Sequence, residues 1–166
     1  RLRLEQVSDH RRNTHEDLRR MDRKRKGKKV SNKDWQSPTD PDSRIAKMKD
    51  GRTHLAYKAE HAVDLETEAI VAAEVQPADQ GDPSTGPQTL QAADQNVAAS
   101  GSETPVTEFV ADKGYHDNTL LAECAVVGIR TYIPERKQKS RRWDDKPAEF
   151  EEAFRGNRRR VKGERG

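Results

Sequence analysis

Val106-Thr107-Glu108-Phe109-Val110-Ala111 runs into Asp112-Lys113-Gly114-Tyr115. Asn118-Thr119-Leu120-Leu121-Ala122-Glu123-Cys124-Ala125-Val126-Val127 follows, and Gly128 leads to Ile129-Arg130-Thr131-Tyr132-Ile133-Pro134. Four of the first six residues are β-branched or aromatic, and the run predicts a short strand. Asn118 is placed to cap a helix through Val127, Gly128 to stop it, and 129–133 to form a second strand closed by Pro134. A strand, a helix and a strand joined by short connections make a parallel crossover unit.

On the N-terminal side, residues 53–63 alternate around Leu55, Tyr57, Ala59, His61 and Val63, and predict a strand. Residues 69–75 predict another, with Asp64 to Glu68 as the hairpin connection. Pro77 to Pro87 reads as a loop, and 88–99 as a helix with Leu90, Ala93 and Val97 on one side. Ser37 to Asp42 holds two prolines and cannot be a helix interior. Residues 4–23 are helix-compatible but carry only Leu4, Val7, Leu18 and Met21 as apolar points. Residues 147–160 are also helix-compatible. The order predicts an α/β sheet of mixed strand direction, with no internal repeat. It divides as a basic flank (1–36), a core (37–134) and a basic C-terminal segment (135–166).

Composition limits the classes of function. The chain has 166 residues, of which 31% are hydrophobic and 37% charged, so not all of it can be packed core. No run approaches the 18 or so apolar residues of a membrane span, and no secretory signal is visible. Cys124 is the single cysteine, which excludes an internal disulfide framework and a multi-Cys zinc site and suits a reducing, cytoplasmic setting. The chain opens at Arg1 and stops in a basic run, and is read as a fragment. The net charge of +3 conceals segregation. Residues 1–33 carry 13 Lys and Arg against 5 Asp and Glu, residues 34–134 carry 7 against 17, and residues 135–166 carry 12 against 7. An acidic centre between basic flanks suits a bound polyanion, and equally an ordinary acidic domain with solvated tails.

Asp112 is the leading functional residue, because open α/β sheets place ligands at the C-terminal ends of their strands. The competing reading is a turn or cap aspartate. Gly114 is expected to let the backbone turn sharply beside it. His54 and His61 fall on opposite faces of one strand, so they do not pair as metal ligands. Cys124 reads as a buried small hydrophobe, Tyr115 as a packing residue, and Trp35 and Trp143 as packing onto the domain edge. His116 is placed to approach a phosphate, although its bland reading carries more weight.

Three strings resemble insertion-sequence DDE transposases. They are Val-Ala-Asp-Lys-Gly-Tyr-His-Asp-Asn (110–118), Thr-Asp-Pro-Asp-Ser-Arg (39–44) followed by Ala-Tyr-Lys-Ala-Glu-His-Ala-Val-Asp (56–64), and Gly-Ile-Arg-Thr-Tyr-Ile-Pro (128–134). The resemblance covers about residues 37–166, and the Asp-Lys-Gly-Tyr string is its most specific part. It implies an RNase H-like mixed sheet with flanking helices, incomplete at the C-terminus. It also implies an Asp, Asp, Glu set holding two Mg²⁺ or Mn²⁺ ions for DNA strand cleavage and transfer at transposon ends. Asp112 matches the second carboxylate. Counting strands makes Asp40 the first, with Asp42 next and Asp64, otherwise a plain hairpin-turn aspartate, as the other alternative. The third carboxylate is not found: Glu149, Glu151 and Glu152 read as a solvated helix face, and Glu164 lies in the run-up to the motif. The fragment alone is therefore expected to turn over little.

DNA is the expected partner, and no membrane is. The expected phosphate contacts are Lys24, Arg25, Lys26, Lys28, Lys29, Lys113, Arg141, Arg142, Arg158, Arg159 and Arg160. The resemblance implies a cytoplasmic, nucleoid-associated bacterial protein whose parent is a possible homo-oligomer. The alternatives are a catalytically dead nucleic-acid-binding remnant and an RNase H-like nuclease.

Overall fold

The computed structural model describes residues 20, 24, 32–33, 36–47, 53–137 and 141–163. The helix expected over 4–23 lies almost wholly outside them, as do Arg25, Lys26, Lys28, Lys29, Trp35 and Glu164.

The strands are β1 (Arg44–Lys47), β2 (Thr53–Val63), β3 (Ile70–Pro77), β4 (Glu108–Val110) and β5 (Arg130–Tyr132). The helices are α1 (Asp82–Ala99), α2 (Asn118–Val126) and α3 (Ala148–Lys162), with a single 3-10 turn at Lys113–Tyr115. The fold is mixed α/β, as expected. Its strands form two sheets among the described residues, β1-β2-β3 and β4-β5.

The chain divides into two compact units, one of Arg1–Lys58 with Val75–Asp79 and the other of Ala59–Glu74 with Gln80–Gly166. In the first, β1 runs antiparallel to the start of β2, with Arg44 opposite Ala56 and Lys47 opposite Thr53. Asn32 fastens this hairpin, its Oδ1 accepting from the Ile45 amide at 2.6 Å.

The second unit contains the crossover. β4 and β5 are parallel, with Glu108 opposite Arg130 and Val110 opposite Tyr132. The cap of α2 is Asp117 rather than Asn118, its carboxylate accepting from the Thr119 amide at 2.8 Å. Gly128, at φ +79°, takes the left-handed conformation that lets the chain leave the helix. The core gathers Leu120, Leu121, Ala122 and Cys124 of α2, Ile133 after β5, and Ala153 and Phe154 of α3. Its burial pushes the Cys124 thiol up to about 11, which keeps it inert. Trp143 is half-buried against Phe154, with ring centroids 5.1 Å apart.

Helix α1 begins six residues earlier than the sequence pattern predicts. Pro83 lies in its first turn, where a missing N–H costs nothing, and Pro87 deletes one interior hydrogen bond. The strand over 53–63 is present, but its expected apolar row faces outward. Leu55, Tyr57 and Val63 are exposed, and Glu60 in the opposite phase is 5% exposed.

Candidate functional site

β4 ends at Val110, and the Ala111 amide still donates to the Tyr132 carbonyl. Asp112 then leaves the sheet, exposed, and caps the 3-10 turn by accepting from the Gly114 amide at 2.5 Å. Gly114 is not in a left-handed conformation; the need for glycine is space. A Cβ built there would lie 2.5 Å from Asp82 Oδ2 and 2.6 Å from Asp112 Oδ1. The carboxylate of Asp82, from the first turn of α1, is thus a close neighbour of Asp112. Asp82 was not anticipated, because its surroundings, Gly81-Asp82-Pro83, read as loop. Arg136 holds the same turn from outside, donating from Nε to the Lys113 carbonyl at 2.9 Å and from Nη2 to the Gly114 carbonyl. Lys113 itself is exposed.

Beneath the turn, Tyr115 packs edge-on to Phe109 with centroids 6.1 Å apart, and its ring rests where a side chain at Gly86 would be. Its hydroxyl donates to Glu60 at 3.2 Å. Glu60 also accepts from Thr85 at 2.5 Å and from Thr89 at 2.6 Å. Burial, followed by the negative charge of Glu60, raises the Tyr115 pKa well above its ordinary value. Glu60 and α1 therefore set the height and angle of the Asp112 turn. A charged residue between Ala59 and His61 gives no sequence sign of such burial.

Asp40 and Asp42 precede β1, in a turn that Pro38 and Pro41 favour. The Asp40 carbonyl accepts from the Ser43 amide, and its carboxylate accepts from the Tyr57 hydroxyl at 2.7 Å. That bond, ahead of desolvation, raises the Tyr57 pKa. Asp64 closes the β2-β3 hairpin, accepting from the Thr67 hydroxyl at 2.5 Å and from the Thr67 and Glu66 amides. The Thr67 hydrogen bond, first among these, lowers its pKa.

The basic residues divide. Lys24, Arg142 and Arg159 are exposed. Arg158 pairs with Glu135 at 3.1 Å. Arg141 stacks 4.4 Å from the Phe154 ring centre and donates to Asn118 at 2.6 Å. Arg160 turns back onto β5, its guanidinium donating to the Thr131 carbonyl at 2.9 Å and the Thr131 hydroxyl at 3.2 Å. Burial, ahead of neighbouring charges, lowers its pKa.

His116 is 6% exposed, and neither ring nitrogen has a hydrogen-bond partner among the described residues. It packs edge-on to Phe154, with centroids 5.7 Å apart. Burial, then the charge of Arg141, holds its pKa below 6.5, against weaker raising by Glu135 and Asp117. The unfolded chain therefore takes the proton first as pH falls. Stability from this residue is fully present above about pH 6.5 and is lost towards the lower folded-state value. Thermal melts of the chain should drop by several degrees more between pH 7.5 and 5.5 than those of His116→Phe. Equal drops would remove His116 as the cause.

Asp112 and Asp82 offer the hard oxygen donors that Mg²⁺ or Mn²⁺ prefer. Among the described residues, no group of three or more His, Cys, Asp or Glu side chains is arranged to hold a metal ion. No described helix is long and apolar enough to cross a membrane.

A family model described as the transposase DDE domain matches residues 21–166, and the chain belongs to that family. No curated protein and no solved structure matches it. Its mixed α/β build is compatible with an RNase H-like fold, and DNA is the partner that family membership implies.

Proposed function

We propose that this chain contributes the second carboxylate and part of the DNA-contacting surface to a metal-dependent transposase. The reaction would be an in-line phosphoryl displacement at transposon ends, carried out in the cytoplasm on chromosomal DNA. The observation that carries the reading is Asp112, exposed at the tip of a parallel strand, with the Asp82 carboxylate beside it so that a Cβ at Gly114 would meet both. Divalent cations, when bound, supply activation of the attacking oxygen and stabilisation of the leaving one. The chain's own part is to present Asp112 at a fixed angle through Glu60, Tyr115 and Arg136. Exposed Lys113, Arg142 and Arg159, with Lys24, would neutralise phosphates.

Asp40 is the proposed first ligand, with Asp42 and Asp64 behind it. On this reading the chain alone nicks DNA slowly or not at all.

Paramagnetic Mn²⁺ tests the assignment without requiring turnover. Titrated into the chain, it should selectively broaden the amide resonances of Gly114 and Asp40, and Asp112→Asn should abolish the effect while leaving the melting curve intact. Broadening at Gly114 alone would overturn the assignment of Asp40. Broadening that is absent, or unchanged in Asp112→Asn, would overturn Asp112 as a ligand; salt-sensitive DNA binding that survived would then favour the non-catalytic binding remnant.

A further inference from the structure

His116 stands between the Asp112 turn and α2, where its amide closes the 3-10 turn on the Lys113 carbonyl at 3.4 Å. Its ring is buried in the second unit, and neither nitrogen meets a hydrogen-bond partner among the described residues. A neutral imidazole always carries one N–H, and a buried donor without an acceptor is costly. Phenylalanine would fill comparable space without that cost. The position therefore holds a titratable group where packing alone calls for none.

The charged groups around the ring offer its protonated form no partner. After β5, Glu135 is engaged with Arg158 of α3 at 3.1 Å. At the cap of α2, Asp117 accepts from the Thr119 amide at 2.8 Å. The Arg141 guanidinium lies 4.4 Å over the Phe154 ring, the same ring that His116 meets edge-on at 5.7 Å. Protonation of His116 would thus place a buried cation near Arg141, with two N–H donors and no acceptor. Burial, then Arg141, resists that charge and holds the pKa below its ordinary value.

The two elements that meet at Phe154 are held unequally. Helix α3 is fixed by both Asn157 bonds to Ile133 at 2.9 Å, by Arg160 on the Thr131 carbonyl at 2.9 Å, and by Ala153 and Phe154 in the core. Residues 141–146 form no helix or strand. They close on themselves, the Lys146 amide donating to the Trp143 carbonyl at 3.0 Å and its Nζ to the Arg142 carbonyl at 3.3 Å. They are fastened to the rest of the unit by Trp143 and Arg141 at Phe154 and by the Arg141 bond to Asn118 at 2.6 Å. A segment held this way opens before a helix with a buried polar clamp does.

We propose that His116 is a pH-sensitive latch: its protonation releases residues 141–146 from Phe154 while α3 stays docked. On release the imidazolium gains water, and the Arg141 guanidinium leaves its stack and moves away from the new charge. Acid favours the open form because the proton binds more tightly to a hydrated ring than to the buried one. The closed form therefore prevails above about pH 6.5 and yields as pH falls towards the lower value of the buried ring. The device is independent of the metal and DNA assignments.

The test uses the whole chain carrying Trp35→Phe, which leaves Trp143 as the only tryptophan. Acrylamide quenching of Trp143 fluorescence should rise about twofold between about pH 7.5 and pH 5. Its midpoint should coincide with that of the His116 imidazole resonances followed by NMR, and the Asn157 side-chain amide resonances should stay in place throughout. His116→Phe, which cannot titrate, should hold the quenching flat. No rise in quenching, an equal rise in His116→Phe, or loss of the Asn157 resonances in step with Trp143 would overturn the proposal. So would a midpoint that departs from that of His116, since another group would then govern release. If His116→Phe fails to fold, the match of midpoints decides.

Discussion

Replacing Glu60 with leucine is expected to destabilise the chain by about 3 kcal/mol, the summed cost of leaving buried hydroxyls without an acceptor. Thr85, Thr89 and Tyr115 all donate to this one carboxylate. Leucine fills much of the same space and accepts nothing. Glutamine keeps one acceptor oxygen, and a threonine hydroxyl can rotate to meet its amide, so Glu60→Gln should cost only ~1 kcal/mol. Urea titrations of the two variants provide the check. Equal midpoints would show that the hydroxyls find other partners and that Glu60 does not organise them. In Glu60→Leu the Tyr115 ring also loses its tether, so the Asp112 turn above it should show faster amide exchange even under native conditions.

Asn157→Ala is the second large effect. Asn157 is fully buried, and its amide closes two bonds on one residue, accepting from the Ile133 N–H and donating to the Ile133 C=O, each at 2.9 Å. Truncation leaves both backbone groups unpaired in the core, where each costs roughly 1–3 kcal/mol. A loss of 2–4 kcal/mol is expected, roughly 4–16 °C in melting temperature for a chain of this size. A drop of only a degree or two would mean that water enters and replaces the amide.

The crossover was legible because its signals are local. A β-branched run, a capping residue, a stop glycine and a terminal proline lie within thirty residues, and the parallel pairing of Glu108 with Arg130 follows from them. The boundary of α1 was not legible. Two prolines and two glycines between Gly81 and Pro87 outvote helix on propensity, and what overrides them is tertiary: Gly86 gives way to the Tyr115 ring, and Thr85 and Thr89 serve Glu60. The phase of β2 was misleading for the same reason. Its apolar residues suggested the covered face, whereas a charged residue in the other phase is buried by donors 25 to 55 positions away in the chain.

At the site, Asp112 stood out from its place at the end of a strand, and Gly114 was singled out for the wrong reason, backbone conformation instead of clearance. Asp82 and Arg136 meet that turn only through tertiary structure and left no local trace. Arg160 shows the limit of reading charge runs. Three consecutive arginines look alike in sequence, but helical rotation turns one back onto Thr131, one towards Glu135 and one to solvent.

The Asn157 clamp also bears on where this domain can be trimmed. Composition marks a border at Pro134, where an acidic globule gives way to what looks like a basic tail. Yet α3 brings Ala153, Phe154 and Asn157 into the interior. An expression truncation designed at that border would strip one wall from the core, and crystallographers shortening the chain should cut elsewhere.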